Sequence, residues 1–319
     1  MKNDKKVIIT GITGQDGAYL SSLLIKKGYT VIGLIRKNAT ENYFGLKHLD
    51  IFNKVELVKC NLLNLQDIDN ILQKYKPTEI YNLAAQSSVG FSFEKPLDTI
   101  EFNILSVANL LESIKNNDKN IKFYQASSSD MFGNVDTLPI TEKTIISPAS
   151  PYAISKVTGH LLTINYRESY NLKACCGILF NHESYLRANN FFVKKVIKTA
   201  INIKNGKEKE LKVGNIDLRR DFGYAPDYVE AMWLMLQQEK MREYLICSGR
   251  SISLREIIEY VFEKLDITKD KIIEDKKFFR PNDIKNIYGT NEKARIELGW
   301  EYNKTFYEVL DLLIDEEIK

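Results

Sequence analysis

Short apolar runs alternate with longer amphipathic stretches over residues 7–180. The runs at 7–10, 30–35, 55–59, 79–86, 121–126 and 174–180 have the length and β-branched content of strands, mostly of the continuously apolar kind buried on both faces of a parallel sheet. Between them, 19–27, 66–74, 97–115 and 152–169 read as helices. Strand and helix in strict succession predict an α/β fold, a Rossmann-type doubly wound parallel sheet. Beyond residue 180 the alternation weakens. Residues 191–203 and 228–238 read as helices, 211–213 as a short strand, 219–221 as a polar turn, and 244–247 as a strand that rejoins the sheet. The remainder, 254–264, 290–298 and 307–317, is helical in pattern. A smaller C-terminal α/β unit interleaved with the first is therefore expected. Its division is 1–178 plus 222–248 for a dinucleotide-binding unit and 179–221 plus 249–319 for a substrate-binding unit.

The first strand runs straight into Gly11-Ile12-Thr13-Gly14-Gln15-Asp16-Gly17 and then a helical stretch. Glycines also mark ordinary tight turns. Placed between strand and helix, though, they let the backbone approach a pyrophosphate while the helix N-terminus offers free N–H groups. The second strand ends at Arg36-Lys37, where an NAD-selective site usually has a carboxylate for the ribose hydroxyls. Cations there suit a 2′-phosphate and favour NADP over NAD, although solvated strand-end charges would look the same. Small residues close the fourth run at Leu83-Ala84-Ala85, letting a cofactor lie close.

Chemistry concentrates at the end of the fifth run. Ser128 and Asp130 fall at its carboxyl end, where open α/β sheets place their sites. Tyr152 and Lys156 lie four apart in a helical stretch, one turn apart on one face. Many amphipathic helices carry such a pair with no chemical role. Beside a phenol, an ammonium favours the phenolate and makes Tyr152 a usable acid or base. Ser128 is placed to hold the same substrate hydroxyl, and Asp130 adds a carboxylate, so more than one proton transfer is implied.

Composition narrows the partners. In 319 residues, 45 Lys and Arg against 42 Asp and Glu give a formal charge of +3, with no basic block suited to nucleic acid or a membrane surface. The four cysteines show no C-x-x-C spacing and read as core thiols of a reducing compartment, and the three histidines are scattered, so no metal is expected. No stretch reaches the roughly 18 apolar residues of a membrane span, and the expected location is cytoplasmic.

With these residues in hand, the chain resembles the extended short-chain dehydrogenases/reductases, and within them the GDP-mannose 4,6-dehydratase family. The resemblance rests on the glycine loop, Tyr81-Asn82-Leu83-Ala84-Ala85-Gln86-Ser87, Asn165-Tyr166-Arg167-Glu168-Ser169-Tyr170, Gly177-Ile178-Leu179-Phe180-Asn181-His182-Glu183-Ser184, Arg220-Asp221 with Asp227-Tyr228, Arg280-Pro281 and Leu298-Gly299-Trp300. It implies a GDP-sugar substrate and a cofactor that stays bound. Tyr152, polarised by Lys156 and aided by Ser128, takes the proton of the sugar O4 as C4 gives hydride to NADP. Asp130 removes the C5 proton as water leaves C6, and the hydride returns to C6. By the same resemblance Asn61 and Leu62 line the cofactor site, and Ser87, Asn181, Glu183, Arg187, Lys195, Arg220 and Arg280 hold the GDP-sugar.

Two departures from the family pattern stand out. The family usually has Thr and Glu where this chain has Ser128 and Asp130, and its two-arginine loop after the Asn-His-Glu-Ser motif is here Tyr185-Leu186-Arg187-Ala188. A carboxylate shortened by one methylene leaves room near C6, so GDP-manno-heptose stands beside GDP-mannose as substrate. A homo-oligomer, dimer or tetramer, is expected, with the changed loop bearing on which. The competing readings are an NADPH-dependent reductase of GDP-4-keto-6-deoxy sugars, a sugar-nucleotide epimerase, and, more remotely, a non-catalytic dinucleotide-binding regulator.

Overall fold

The structure, a computed structural model, describes residues 5–37 and 42–319. The first half runs β1 (Lys6–Thr10), α1 (Gln15–Lys26), β2 (Thr30–Ile35), α2 (Phe44–His48), β3 (Val55–Lys59), α3 (Leu65–Tyr75), β4 (Glu79–Asn82), α4 (Val89–Glu94), α5 (Pro96–Asn117), β5 (Lys122–Ser128), α6 (Pro151–Tyr170) and β6 (Ala174–Leu179). The second runs β7 (Asn181–Glu183), α7 (Phe192–Lys204), β8 (Leu211–Val213), β9 (Arg219–Tyr224), α8 (Ala225–Gln237), β10 (Glu243–Ile246), β11 (Ser251–Ser253), α9 (Leu254–Lys264), β12 (Ile272–Glu274), β13 (Asn286–Ile287), α10 (Glu292–Leu298) and α11 (Phe306–Ile318).

Seven strands form one sheet in the order β3-β2-β1-β4-β5-β6-β10, every neighbouring pair parallel. The chain changes direction of travel across the sheet between β1 and β4, and the crevice outside the strand ends at that point is where such folds bind ligands. Ile9, Leu20, Leu24, Tyr228 and Met232 fill one face, under α1 and α8. Ile8, Ile32, Leu72, Leu110 and Ile114 fill the other, under α3 and α5. Apolar residues on both sides of the sheet explain why its strands read as unbroken runs. A separate cluster, with Val196, Ile197, Ile258, Phe262, Val309 and Leu310, joins α7, α9 and α11. Small sheets complete the second half: β9 lies between β11 and β13 and also pairs with β7, while β8 pairs with β12.

Three local readings change. Residues 219–221 form the start of β9 and are not a turn. Arg220 and Asp221 looked solvated, yet both are buried, because backbone partners satisfy them: Arg220 Nη1 donates to the carbonyls of Ile284 and Arg219, while Asp221 accepts from the amides of Ser248 and Gly249. The strand expected to span 79–86 stops at Asn82, since Leu83 and Ala84 give their amides to the Thr10 side chain in place of the ladder. Helix α1 begins at Gln15, four residues before the expected start at 19, with Gly17 inside it. A Cβ on Gly17 would sit 2.4 Å from the Gly11 carbonyl oxygen, so a poor helix former is required by contact.

Among the described residues, no helix is long and apolar enough to cross a membrane and no group of three His, Cys, Asp or Glu could hold a metal. All four cysteines are free and buried.

Candidate active site

The end of β1 builds the cradle. Gly11 has φ of +69°, a left-handed conformation that favours glycine, and a Cβ there would lie 2.9 Å from the amide nitrogen of Ala84. Gly14 caps α1 without any side chain closing off the helix N–H groups, and Thr13 and Gly14 are exposed. An exposed helix N-terminus with no side chain over it suits an anionic oxygen, so these residues fit a dinucleotide pyrophosphate. Beneath it runs a buried chain of side chains across the switch point. Thr10 donates to Asn82 Oδ1 at 2.6 Å, and Asn82 Nδ2 donates to Gln125 Oε1 at 2.8 Å. Thr10 and Asn82 thereby hold the loop of Leu83, Ala84 and Ala85 at the strand ends.

At the other edge of the cradle Arg36 is exposed just past β2, while Lys37 forms an ion pair with Asp67 at 2.6 Å. Asn61 gives its backbone amide to the same Asp67 and uses its own Oδ1 to accept from Leu63, and Leu62 is buried in the core. These residues cluster beside the crevice as a structured turn.

β5 delivers Ser128 and, through a short 3₁₀ turn, Asp130; the Ser128 hydroxyl oxygen caps that turn by accepting from the Asp130 amide at 3.2 Å. Helix α6 starts beside them. Ser150 accepts from the Ala153 amide and Pro151 occupies the first turn, a strong start signal that sets where Tyr152 and Lys156 point. Tyr152 is buried and hydrogen bonded with Ser128, and it lies in the field of Asp130. Lys156 donates to the carbonyl of Ala126 at 2.9 Å, its ammonium 5.8 Å from the Tyr152 ring centroid. The structure thus brings Ser128, Asp130, Tyr152 and Lys156 to one end of the crevice.

Their electrostatics differ from expectation. Burial first, and the Asp130 charge second, hold the Tyr152 phenol well above its ordinary range, with the Ser128 hydrogen bond and Arg187 working the other way. Burial pulls Lys156 down to about 8. The ammonium is spent on a carbonyl of β5, so in this arrangement it does not by itself acidify the phenol. The physical reason is that removing a charge from water outweighs a neighbouring charge that is not in contact.

The residues expected to hold the sugar nucleotide are more dispersed. Asp130, Arg220 and Arg280 line one cleft with Ser150, Asn282 and Asp283. Arg187 sits 3.4 Å from the Glu183 carboxylate and stacks over Phe191, while Glu183 is buried, its carboxyl raised by that burial. Asn181 opens β7, half-buried, and Ser87 is exposed in the loop after β4. Lys195, on α7, donates to the Lys212 carbonyl and covers the Phe278 ring, and it is not among the cleft's lining residues.

Sequence reasoning missed one partner of the site. Gln15 and Asp16 bind across to β7: Gln15 Nε2 donates to the His182 carbonyl at 3.1 Å, Ser184 donates to Gln15 Oε1 at 2.8 Å, and the His182 ring meets Asp16 at 2.9 Å. His182 stood inside a recognisable motif, but nothing in the linear order signals a contact with residue 16.

Known proteins resemble this chain in sequence and in fold. The sequence profile of a family described as GDP-mannose 4,6 dehydratase matches residues 8–313. The chain is 42% identical over 331 residues to GDP-mannose 4,6 dehydratase 1 of Arabidopsis thaliana, covering 100% of this chain and 91% of that one. It is 37% identical over 350 residues to GDP-mannose 4,6-dehydratase of Vibrio cholerae, covering 99% and 94%. Among solved structures, a dTDP-glucose 4,6-dehydratase of Streptomyces venezuelae with NAD bound superposes with a TM-score of 0.88 at 19% identity, over 97% of this chain and 96% of that one. RMD of Pseudomonas aeruginosa, complexed with NADPH, gives 0.82 at 24% identity over 98% of each chain. The structural likenesses carry the fold, and the sequence relatives carry the family.

Proposed function

We infer that this chain, which belongs to the GDP-mannose 4,6-dehydratase family and is a hydro-lyase, converts a GDP-linked manno-configured sugar to its 4-keto-6-deoxy form. The observation that carries this reading is the convergence of Ser128, Asp130 and Tyr152 at the end of β5, with Arg220 and Arg280 sharing the cleft that Asp130 lines. A nicotinamide dinucleotide in the glycine cradle supplies the hydride acceptor and donor when bound. Ser128 orients the sugar O4 hydroxyl, and Tyr152 takes its proton in the phenolate form, after first giving up its own phenolic proton to solvent. Asp130 removes the proton at C5 and protonates the departing C6 oxygen, so one water leaves and the sugar shows no net redox change. Arg220 and Arg280 suit diphosphate oxygens as planar donors. A plain reductase has no use for a base at C5, so Asp130 in the field of Tyr152 favours the dehydratase.

NADP is the dinucleotide we propose, on the exposed Arg36 at the end of β2, since Lys37 is already engaged by Asp67. The division into a dinucleotide half and a sugar-nucleotide half is also proposed, with β9 assigned whole to the second half. Helices α5 and α6 pack against each other and leave Leu97, Leu105, Ile154 and Leu161 exposed, apolar surface that suits a second copy of the chain, as the expected homo-oligomer requires. A cytoplasmic location fits the GDP-sugar substrate.

The test is to incubate the purified protein, with no cofactor added, with GDP-mannose and separately with GDP-manno-heptose, and to read products by mass spectrometry. Loss of water from either sugar is expected. Turnover of the heptose compound well above the mannose one assigns the space left by the short Asp130 to a seventh carbon, and preference for GDP-mannose removes the heptose reading. No loss of water from either overturns the function. Dinucleotide released on denaturation identifies NADP or NAD.

A further inference from the structure

Both nitrogens of the His182 ring face oxygen acceptors. Nε2 lies 2.9 Å from the Asp16 carboxylate and Nδ1 lies 2.7 Å from the Phe180 carbonyl. A neutral imidazole has one donor and one acceptor, so beside an ionised Asp16, whose carboxyl is held below its ordinary value, it would turn a lone pair toward one of these oxygens; only the imidazolium satisfies both. The ring cannot swing to another arrangement, because it is buried and stacked on Tyr228 of α8 at 4.8 Å between centroids and 29° between planes. Asp16 is held as firmly, its second oxygen accepting from Gln15 at 3.0 Å.

We propose that Asp16 and His182 form a largely buried, charge-compensated clasp between α1 and β7 that tunes the catalytic pair Tyr152 and Lys156, which makes both clasp members positioning residues. The proposal rests on the dehydratase reading for its kinetic consequence, and on the ring geometry for its charge state.

The coupling is electrostatic. The Asp16 carboxylate acts on both Tyr152 and Lys156 and raises both, so an uncompensated Asp16 would keep the phenol protonated and the ammonium charged to higher pH. His182 supplies the opposite charge. Around the clasp, Arg187 bears on both members, Glu183 follows His182 on β7, Tyr228 faces from α8, and Tyr124 of β5 feels Asp16 from beneath. Burial opposes charging His182, and the Asp16 contact more than offsets it, raising the imidazole above its ordinary value; burial likewise opposes Asp16, and His182 with Gln15 lowers it. Charge and geometry agree.

The experiment has two arms. In the first, the full-length protein carries 15N-labelled histidine, and the three rings are followed by NMR, His182 being assigned by its loss in His182→Gln or by substituting the other two. His182 is expected to be doubly protonated at pH 7.5; a neutral ring there overturns the proposal, whether or not any variant folds. In the second, the pH profile of kcat is measured for the wild type, Asp16→Asn, His182→Gln and the double variant. Removing the carboxylate is expected to move both limbs to lower pH by about half a unit, removing the cation to move them up by a similar amount, and the double variant to return them near the wild-type positions. Rate losses with no movement of the limbs, or movement of both single variants in one direction, leave only a structural brace and overturn the tuning role. A wild type that forms no 4-keto product would strike at the dehydratase reading itself, and the ring spectrum would still test the clasp.

Discussion

The acid–base end of the crevice and the sugar-nucleotide end are built on different principles. Ser128, Asp130, Tyr152 and Lys156 come from β5, the turn after it and α6, on the central sheet, and each is buried or half-buried, with partners drawn from those same elements: Lys156 holds the Ala126 carbonyl and Tyr152 meets Ser128. The cations assigned to the nucleotide come from α7, β9 and two loops, and most already hold a protein group: Arg220 holds the Ile284 carbonyl, Lys195 the Lys212 carbonyl, and Arg187 lies against Glu183. The first region is pre-organised by the rigid sheet, and its chemistry is fixed by burial. The second gains its arrangement from long-range contacts, so substitutions there should alter binding more than turnover.

The sharpest break of that contrast is Tyr152→Phe. Removing one oxygen from a buried ring leaves packing intact, and kcat is expected to fall by about 10²–10⁴-fold with little change in thermal midpoint; comparable loss in KM alone would put Tyr152 among the binding groups. Asp130→Asn comes next, with an expected loss of about 10²-fold in dehydration and in solvent-deuterium incorporation at C5, measured by mass spectrometry. Gly17→Ala should damage both regions through the cradle, because its Cβ would sit 2.4 Å from the Gly11 oxygen. A destabilisation of roughly 1–3 kcal/mol and weakened dinucleotide retention are expected by denaturation and cofactor release.

Arg280→Ala is milder, an expected rise in KM of about tenfold at nearly constant kcat, from the loss of one charged hydrogen-bonding group. The smallest effect is one of pH. With its value depressed to about 8 by burial, Lys156 is charged below that pH and loses its proton as pH rises through it, so kcat should decline on the alkaline side near pH 8. Lys156→Arg, whose guanidinium stays charged, should flatten that decline at lower overall rate.

Much of this molecule was legible in linear order, and the failures have identifiable causes. The parallel sheet was readable because its strands are buried on both faces, which leaves an unbroken apolar signal. The glycine spacing and the Tyr152–Lys156 pair were readable because both depend on neighbours within one turn. Arg220 and Asp221 were misread as a turn because polarity was taken for exposure, whereas Asp221 accepts four hydrogen bonds from Ser248, Gly249 and Gly289 in the interior. Glu183 and Lys195 carried no local mark of the partners that occupy them.

Local chemistry therefore settled the sheet and the glycine turn and singled out the candidate acid–base groups, since periodicity, capping and close spacing act over a few residues. The three-dimensional fold alone decided their charge states and alliances. Burial, which no short window records, raises Tyr152 and lowers Lys156, and only the folding of β7 onto α1 brings His182 to Asp16 across 166 residues of chain.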